Sequence, residues 1–430
     1  LQLRKQGLIL LMVLLFTLAV AGDSIDESDI DQRMLDEEYP QDLDTLEEFI
    51  QSYYLLLDSD QELSKYSFIN SQHNRIENDS LAMQSFYNKL VELRSGLRDR
   101  VSIFQFGDSH IQSGYFAGTA RSALQEYFGN AGRGLTFPLR LAGTNQPDDY
   151  RVSSSASWSR ASAFGLAGYT VRTSSGGSFS LRTNEFFGIA NSFDRVGILT
   201  NSVDYSWSAG DRNARTQTIA GCENLMRHDL ELSRLHSQVE LSLQKGQATD
   251  ALELYGLMLE RSEPGLLYNS TGINGASFRS YAANPQFFRQ LSATQPDLIL
   301  ISLGTNDAQG NYRAENFRRE LRSMLTLLRA ELPETPILFS LAPDSNKRRR
   351  TNQDISKVNQ EIIDWARQNN AAWWNLQEVM GGVGSIRQWK SNALAANDLL
   401  HFAPKGYMLQ GYLFYQALLK GYQSHTQSPR

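Results

Sequence analysis

The chain has 430 residues, of which 41% are hydrophobic and 20% charged, a composition that supports a buried core and excludes a multispan membrane protein. Its formal net charge of -6 leaves the chain as a whole without the bulk positive charge by which nucleic-acid-binding proteins hold phosphates. A single cysteine, Cys222, excludes an intrachain disulfide, and no Cys/His cluster has zinc spacing.

In chain order, Arg4 and Lys5 precede an apolar run from Leu8 to Ala21 that ends in Ala19-Val20-Ala21. That pattern predicts a secretory signal peptide over residues 1–21; the alternative is an uncleaved anchor, for which the run is short, and no stable membrane span is expected after cleavage. The product is then exported, to the periplasm or to the cell surface, or secreted. Residues 22–79 read as an acidic tether, because 23–62 hold 15 acidic side chains and one basic one, Arg33. Residues 63–430 consequently carry +6. The acidity belongs to the tether.

Beyond it, the short apolar runs Val101 to Phe106, Leu298 to Leu303, Ile337 to Leu341 and Ala371 to Leu376 predict buried parallel strands. Amphipathic helical patterns lie between them, through Phe317, Leu321, Leu325 and Leu328, and through Ile355, Val358, Ile362 and Trp365. A further helix is expected from Pro404 onward. Alternating strands and helices imply an α/β fold with right-handed crossovers and its chemistry at the carboxyl ends of the strands. Residues 150–263 break that rhythm with short alternating runs such as Ser178 to Arg182 and Val239 to Leu243. They predict a β-sandwich-like insert that divides the α/β unit into 80–149 and 264–424. Trp158 and Trp207 in it serve either as core or as platforms for sugar rings.

Gly107-Asp108-Ser109-His110 follows the first strand and precedes a helix. Alone, such a triplet is an ordinary turn with a capping side chain; with partners, it exposes a serine at the top of a sheet. Gly304-Thr305-Asn306-Asp307 stands at a second strand end, and Asp398 and His401 are spaced to share one face of a turn. A carboxylate there can hold the imidazole tautomer that accepts a serine proton. Gly272-Ile273-Asn274-Gly275-Ala276 offers a glycine amide to an oxyanion. His110 points away from Ser109 and shapes the turn, while Asp108 and Asp307 serve as hydrogen-bonding groups rather than proton carriers. The run Lys347-Arg348-Arg349-Arg350 is either a solvated loop or an attractor of an anionic polymer.

These four blocks, in this order, resemble the SGNH (GDSL-like) hydrolase superfamily. The resemblance implies a flavodoxin-like three-layer fold, with Ser109 as nucleophile and Asp398 and His401 completing a triad. Gly275 and Asn306 then join the Ser109 amide in the oxyanion hole, and neither metal nor cofactor takes part. Three further features look like bacterial peptidoglycan O-acetylesterases: the run Phe128 to Leu135, the stretch Met380 to Ile386 with Trp389, and the β-rich insert. In that group the insert resembles a carbohydrate-binding module. The implied partner is an acetylated glycan, first of all peptidoglycan, and no nucleic acid. Alternatives are an esterase of the acetyl xylan type, a lipid acylhydrolase, an O-acetyltransferase, and a glycan-binding envelope protein with minor activity.

Overall fold

Strand β1 (Ile76–Glu77) and strand β2 (Arg100–Gly107) open a six-stranded sheet continued by β3 (Gly265–Gly272), β4 (Leu298–Ser302), β5 (Ile337–Ser340) and β6 (Ala372–Trp374). The computed structural model describes residue 63 and residues 65–427, apart from 163, 187–188, 211, 214, 219–224 and 248. The signal segment, tether residues 22–62 and Cys222 lie outside the described residues. Strand order is β1-β6-β5-β4-β2-β3, all parallel except β1 against β6. Leaving out β1, this is the flavodoxin-like order, whose reversal point lies between β2 and β4.

Strand β2 forms because its side chains are apolar on both faces. Val101 and Ile103 of β2 pack on one side with Phe86 and Leu90 of helix α1 (Gln84–Arg94) and Leu409 and Leu413 of the helix Pro404–Gln427. Phe104 and Phe106 pack on the other with the apolar stripes of α2 (Ala314–Glu331) and α3 (Asp354–Gln368). Helices cover both faces, which gives three layers. The last strand is shorter than its apolar run suggests, since Asn375 Oδ1 accepts the Glu378 N–H (3.3 Å) and starts a helical turn at Leu376.

Between β2 and β3 the chain builds two antiparallel sheets, of five and seven strands among the described residues. Phe179, Leu181, Leu241 and Leu243 of one and Val196, Ile198, Leu254 and Leu257 of the other fill one apolar layer, so the insert is a β-sandwich. That layer is contiguous with the α/β core on the α2 and α3 side. A further tie joins them, since Gly134–Thr136 pairs with Leu257, Met258 and Leu259. Just ahead of the insert, Asp149 accepts hydrogen bonds from Arg121 (2.6 Å) and Arg133 (3.0 Å), all three buried. Burial alone would raise the Asp149 carboxyl, but the two guanidinium groups overcome it and hold it below the usual range. Removing one member of such a buried set typically costs about 3–5 kcal/mol.

Trp207 is buried against Phe179 (5.7 Å between ring centroids), so it is core, and Trp158 packs on the same ring (5.7 Å). Among the described residues no helix is long and apolar enough to cross a membrane.

Candidate active site

Strand β2 runs into Asp108, whose extended backbone (φ -101°) ends the strand and caps the short helix α4 (Ser109–Gln112) through a bond from the His110 N–H to Oδ1 (3.0 Å). Ser109 is therefore the first helical residue, at the carboxyl end of β2 beside the reversal point of the sheet. Neighbouring β3 ends in register, Gly272 opposite Gly107. A Cβ on Gly272 would collide with the backbone of Asp108 and Gln112, so glycine is what lets the two segments touch. Three residues on, Gly275 takes φ 75°, and among the described residues neither its N–H nor that of Ser109 has an intramolecular partner.

Asp398 and His401 come from a turn 289 to 292 positions later in the chain, and the structure brings them to Ser109. Ser109 Oγ lies 3.1 Å from His401 Nε2, and His401 Nδ1 lies 2.7 Å from Asp398 Oδ2. The other carboxylate oxygen, Oδ1, accepts the N–H groups of Leu400 (3.0 Å) and His401 (2.9 Å), a wrap made possible by Leu399 at φ 53°. Partial burial pushes the Asp398 carboxyl up, but hydrogen bonds from the imidazole and those two amides outweigh it and leave the group below the usual range. It stays a carboxylate facing Nδ1.

Asn306 belongs to α5 (Thr305–Gln309), which begins after β4, on the other side of the reversal point. Its Nδ2 donates to Ala276 O (2.9 Å) and, at 3.4 Å, reaches Asp108 Oδ2. The carboxamide thus bridges the Gly275 loop and the Ser109 turn. The structure thus joins Ser109, His401 and Asp398 in one line and sets Asn306 between the Ser109 turn and the loop of Gly275. The remaining histidine of the first block is buried beneath them. His110 stacks beside His401 (5.4 Å between centroids), its Nδ1 pairs with Tyr407 Oη (2.9 Å), and burial lowers it to about 3, so it stays neutral.

Burial raises Asp108 to about 7, with repulsion from Asp307 adding to it against the bond from the His110 amide. Asp307, half-buried, is raised by loss of solvent to about 7, and among the described residues its buried Oδ2 has no hydrogen-bond partner. An unfolded Asp108 ionises near 3.8. Between about pH 4 and 7 the folded chain therefore keeps a proton that the unfolded chain has lost, and this group's contribution to stability falls as pH rises through that window. Asp108→Asn keeps the capping oxygen and removes the titration. The variant should melt at the wild-type temperature at pH 4 and a few degrees higher at pH 8, by about 2–4 °C per kcal/mol. A wild-type advantage at pH 8 in thermal unfolding would contradict the buried, protonatable state.

One organising residue carried no signal in the sequence beyond its place in the first block. Gln112, buried, accepts the Asn274 N–H (2.9 Å) and the Tyr169 hydroxyl (3.0 Å) through Oε1. Through Nε2 it donates to Thr144 Oγ1 (2.8 Å) and Asn145 Oδ1 (2.9 Å). One side chain thus fixes the peptide ahead of Gly275, and one of its four partners, Tyr169, comes from the insert.

Residues 246–409 match the model of the GDSL-like Lipase/Acylhydrolase family, a stretch that holds Gly275, Asn306, Asp398 and His401 and starts well after Ser109. No curated protein matches the sequence. Among solved structures, a peptidoglycan O-acetylesterase superposes with a TM-score of 0.68 at 23% identity, covering 79% of this chain and 96% of that one. A lipase/acylhydrolase from Enterococcus faecalis (TM-score 0.30, 19% identity) covers 36% of this chain and 76% of its own. An acetyl xylan esterase (TM-score 0.30, 14% identity) covers 36% and 81%. With its flavodoxin-like sheet and its β-rich insert the chain has the fold seen in a peptidoglycan O-acetylesterase, and over residues 246–409 it is similar to the GDSL-like Lipase/Acylhydrolase family.

Proposed function

We propose that the chain removes O-acetyl groups from a cell-envelope glycan, peptidoglycan first, by way of an acyl-serine intermediate. The observation that carries the chemistry is the line from Ser109 Oγ through His401 to Asp398, 3.1 and 2.7 Å. His401 Nε2 takes the Ser109 proton as Oγ bonds to the acetyl carbonyl carbon. The carbonyl π pair moves to oxygen, where the Ser109 and Gly275 amides and the Asn306 carboxamide receive the charge. The long 3.4 Å contact of Asn306 with Asp108 is the one exchanged for the oxyanion. The tetrahedral centre collapses, the bond to the sugar oxygen breaks, and His401 returns the proton to that oxygen. Water, deprotonated in turn by His401, attacks the acetyl-serine and releases acetate.

The substrate class rests on the fold match and on the crevice itself. Gly275 and Asn274 are exposed, and the rim beside them carries Asn145 and Thr144. The exposed large apolar side chains among the described residues are Leu81, Leu97, Val203, Leu235 and Val383, none on a segment that bears a proposed catalytic group. A polar, open rim suits a short acyl group on a bulky hydrophilic alcohol and offers no trough to a long chain. A glycan of the envelope places the working enzyme outside the cytoplasm, in keeping with the apolar run of residues 8–21.

Acetate release from O-acetylated peptidoglycan, acetylated xylan and a long-chain aryl ester tests the assignment. Peptidoglycan is expected to be turned over best. Preference for xylan would move the substrate to another polysaccharide, and preference for the long chain would overturn the glycan reading.

The Gln112 network predicts a split in kinetic constants. Gln112→Ala frees the Asn274–Gly275 peptide and should lower kcat about 10- to 100-fold, the scale of a misplacement near 1 Å, with KM little changed. Tyr169→Phe removes a single hydroxyl from the same oxygen and should cost about 3- to 10-fold. Equal losses in KM and kcat would show general damage to the fold instead.

A further inference from the structure

The run Lys347 to Arg350 forms a β-hairpin, Asn346–Lys347 paired with Arg350–Thr351, whose two turn residues are Arg348 and Arg349. Both have positive φ, 50° and 66°. Two-residue hairpin turns of this hand favour Asn-Gly or Asp-Gly, because a side chain with a Cβ is strained there. Two consecutive arginines are therefore held in a conformation that their own backbones disfavour.

The legs of the hairpin are braced on both halves of the proposed active site. The Asn346 N–H donates to Leu399 O (2.7 Å), inside the turn that carries Asp398 and His401. Gln309, in the helix of Asn306, donates to Asn346 O (2.8 Å). Lys347 donates to Ala308 O (2.9 Å), Gly310 O (2.6 Å) and Asp354 (3.1 Å), so its charge is used internally. Arg348, Arg349 and Arg350 are exposed, and among the described residues their side chains make no hydrogen bond, ion pair or ring contact. The strain thus supports no internal contact of these side chains.

We propose that the Arg348–Arg349 turn, with Arg350, is a subsite for carboxylates of the polymer whose ester is cleaved, on a hairpin braced against the Asn306 helix and the Asp398–His401 turn. Guanidinium groups meet carboxylates with paired hydrogen bonds and keep their charge at any working pH. The net +6 of residues 63–430 adds long-range attraction, and the bracing fixes where the polymer is caught relative to Ser109. This rests on the glycan reading above, and it adds that the preferred glycan is anionic.

The test uses the full chain and a short aryl acetate, with polygalacturonate and its amidated, uncharged form as competing polymers at low salt. Polygalacturonate should inhibit wild type competitively and the amidated form should not. Arg348→Asn combined with Arg349→Gly suits the turn better, so that variant should melt higher than wild type and keep aryl acetate turnover within twofold. It should be inhibited by polygalacturonate at least tenfold more weakly. Equal inhibition of both proteins overturns the subsite. Loss of aryl acetate turnover in the variant overturns it too, by showing that the hairpin only braces the catalytic turn. Failure of wild type to release acetate from peptidoglycan would sink the proposed substrate and leave this measurement intact.

Discussion

Ser109→Ala should leave less than about one part in ten thousand of the esterase activity, because removal of a triad nucleophile costs 10⁴-fold or more in kcat. The substitution deletes one atom at the amino end of α4, where the fold is held by the Asp108 cap and by Gly272 against Gln112 rather than by the hydroxyl. Melting temperature should therefore be unchanged. The Ser109 and Gly275 amides and the Asn306 carboxamide, proposed to hold the oxyanion, survive, so binding of acetylated glycan should persist without turnover. Residual activity above a few per cent would mean that another nucleophile acts, and would dismantle the proposed mechanism.

Asp398→Asn should be at least as damaging as Asp398→Ala, although it is the more conservative change. Oδ1 is claimed by two donors, the N–H groups of Leu400 and His401, so an asparagine must place its oxygen there and its NH₂ at the former Oδ2 position. That NH₂ then faces Nδ1 at about hydrogen-bond length, 2.7 Å in the wild type, and Nδ1 must accept. The imidazole proton moves to Nε2, the atom that has to receive the proton of Ser109. A carboxylate-to-amide change of this kind costs about 10⁴-fold in a buried triad, and here roughly 10²- to 10⁴-fold, since the pair is part exposed. With alanine the tautomer is free and part of the population remains productive. An asparagine variant clearly more active than the alanine variant in kcat would show that Asp398 does not set the tautomer.

The parts of the fold that were legible in the sequence are those in which one short segment meets the same environment on both faces. Strands β2, β4 and β5 read out directly because helices cover both sides, and the end of each marked where chemistry could stand. Strand β3 escaped, since its second half, Asn269-Ser270-Thr271, is polar. Asn269 and Thr271 are buried, and Asn269 is bonded across the chain to the Leu135 N–H (2.9 Å) and to Ser102 Oγ (3.3 Å), so hydropathy misreports their burial. The insert was legible as β-rich from alternation alone, but its pairing was not. That Gly134–Thr136, ahead of residue 150, joins the strand Leu252–Glu260 is a register fact that no local pattern carries. The five candidate residues were found because each adjoins a strand end or a turn and together they follow a family order. Gln112, Tyr169 and Tyr407 act through contacts 32 to 297 positions apart, and nothing local distinguishes them from ordinary polar residues.

The placing of β2 between β3 and β4 has a consequence for how the chain is made. Its register partners, Leu266 for Val101 and Leu298 for Ile103, are synthesised about 165 and 195 residues later. Until they arrive, the strand that presents Ser109 has two unpaired edges and one apolar face that the preceding helix α1 does not cover, and only the finished insert brings its neighbours within reach. A chain emerging from a ribosome therefore holds Ser109 early and His401 late. Truncations before residue 302 should yield insoluble chains, and the proposed esterase activity should come into being in one late step, with the insert already made.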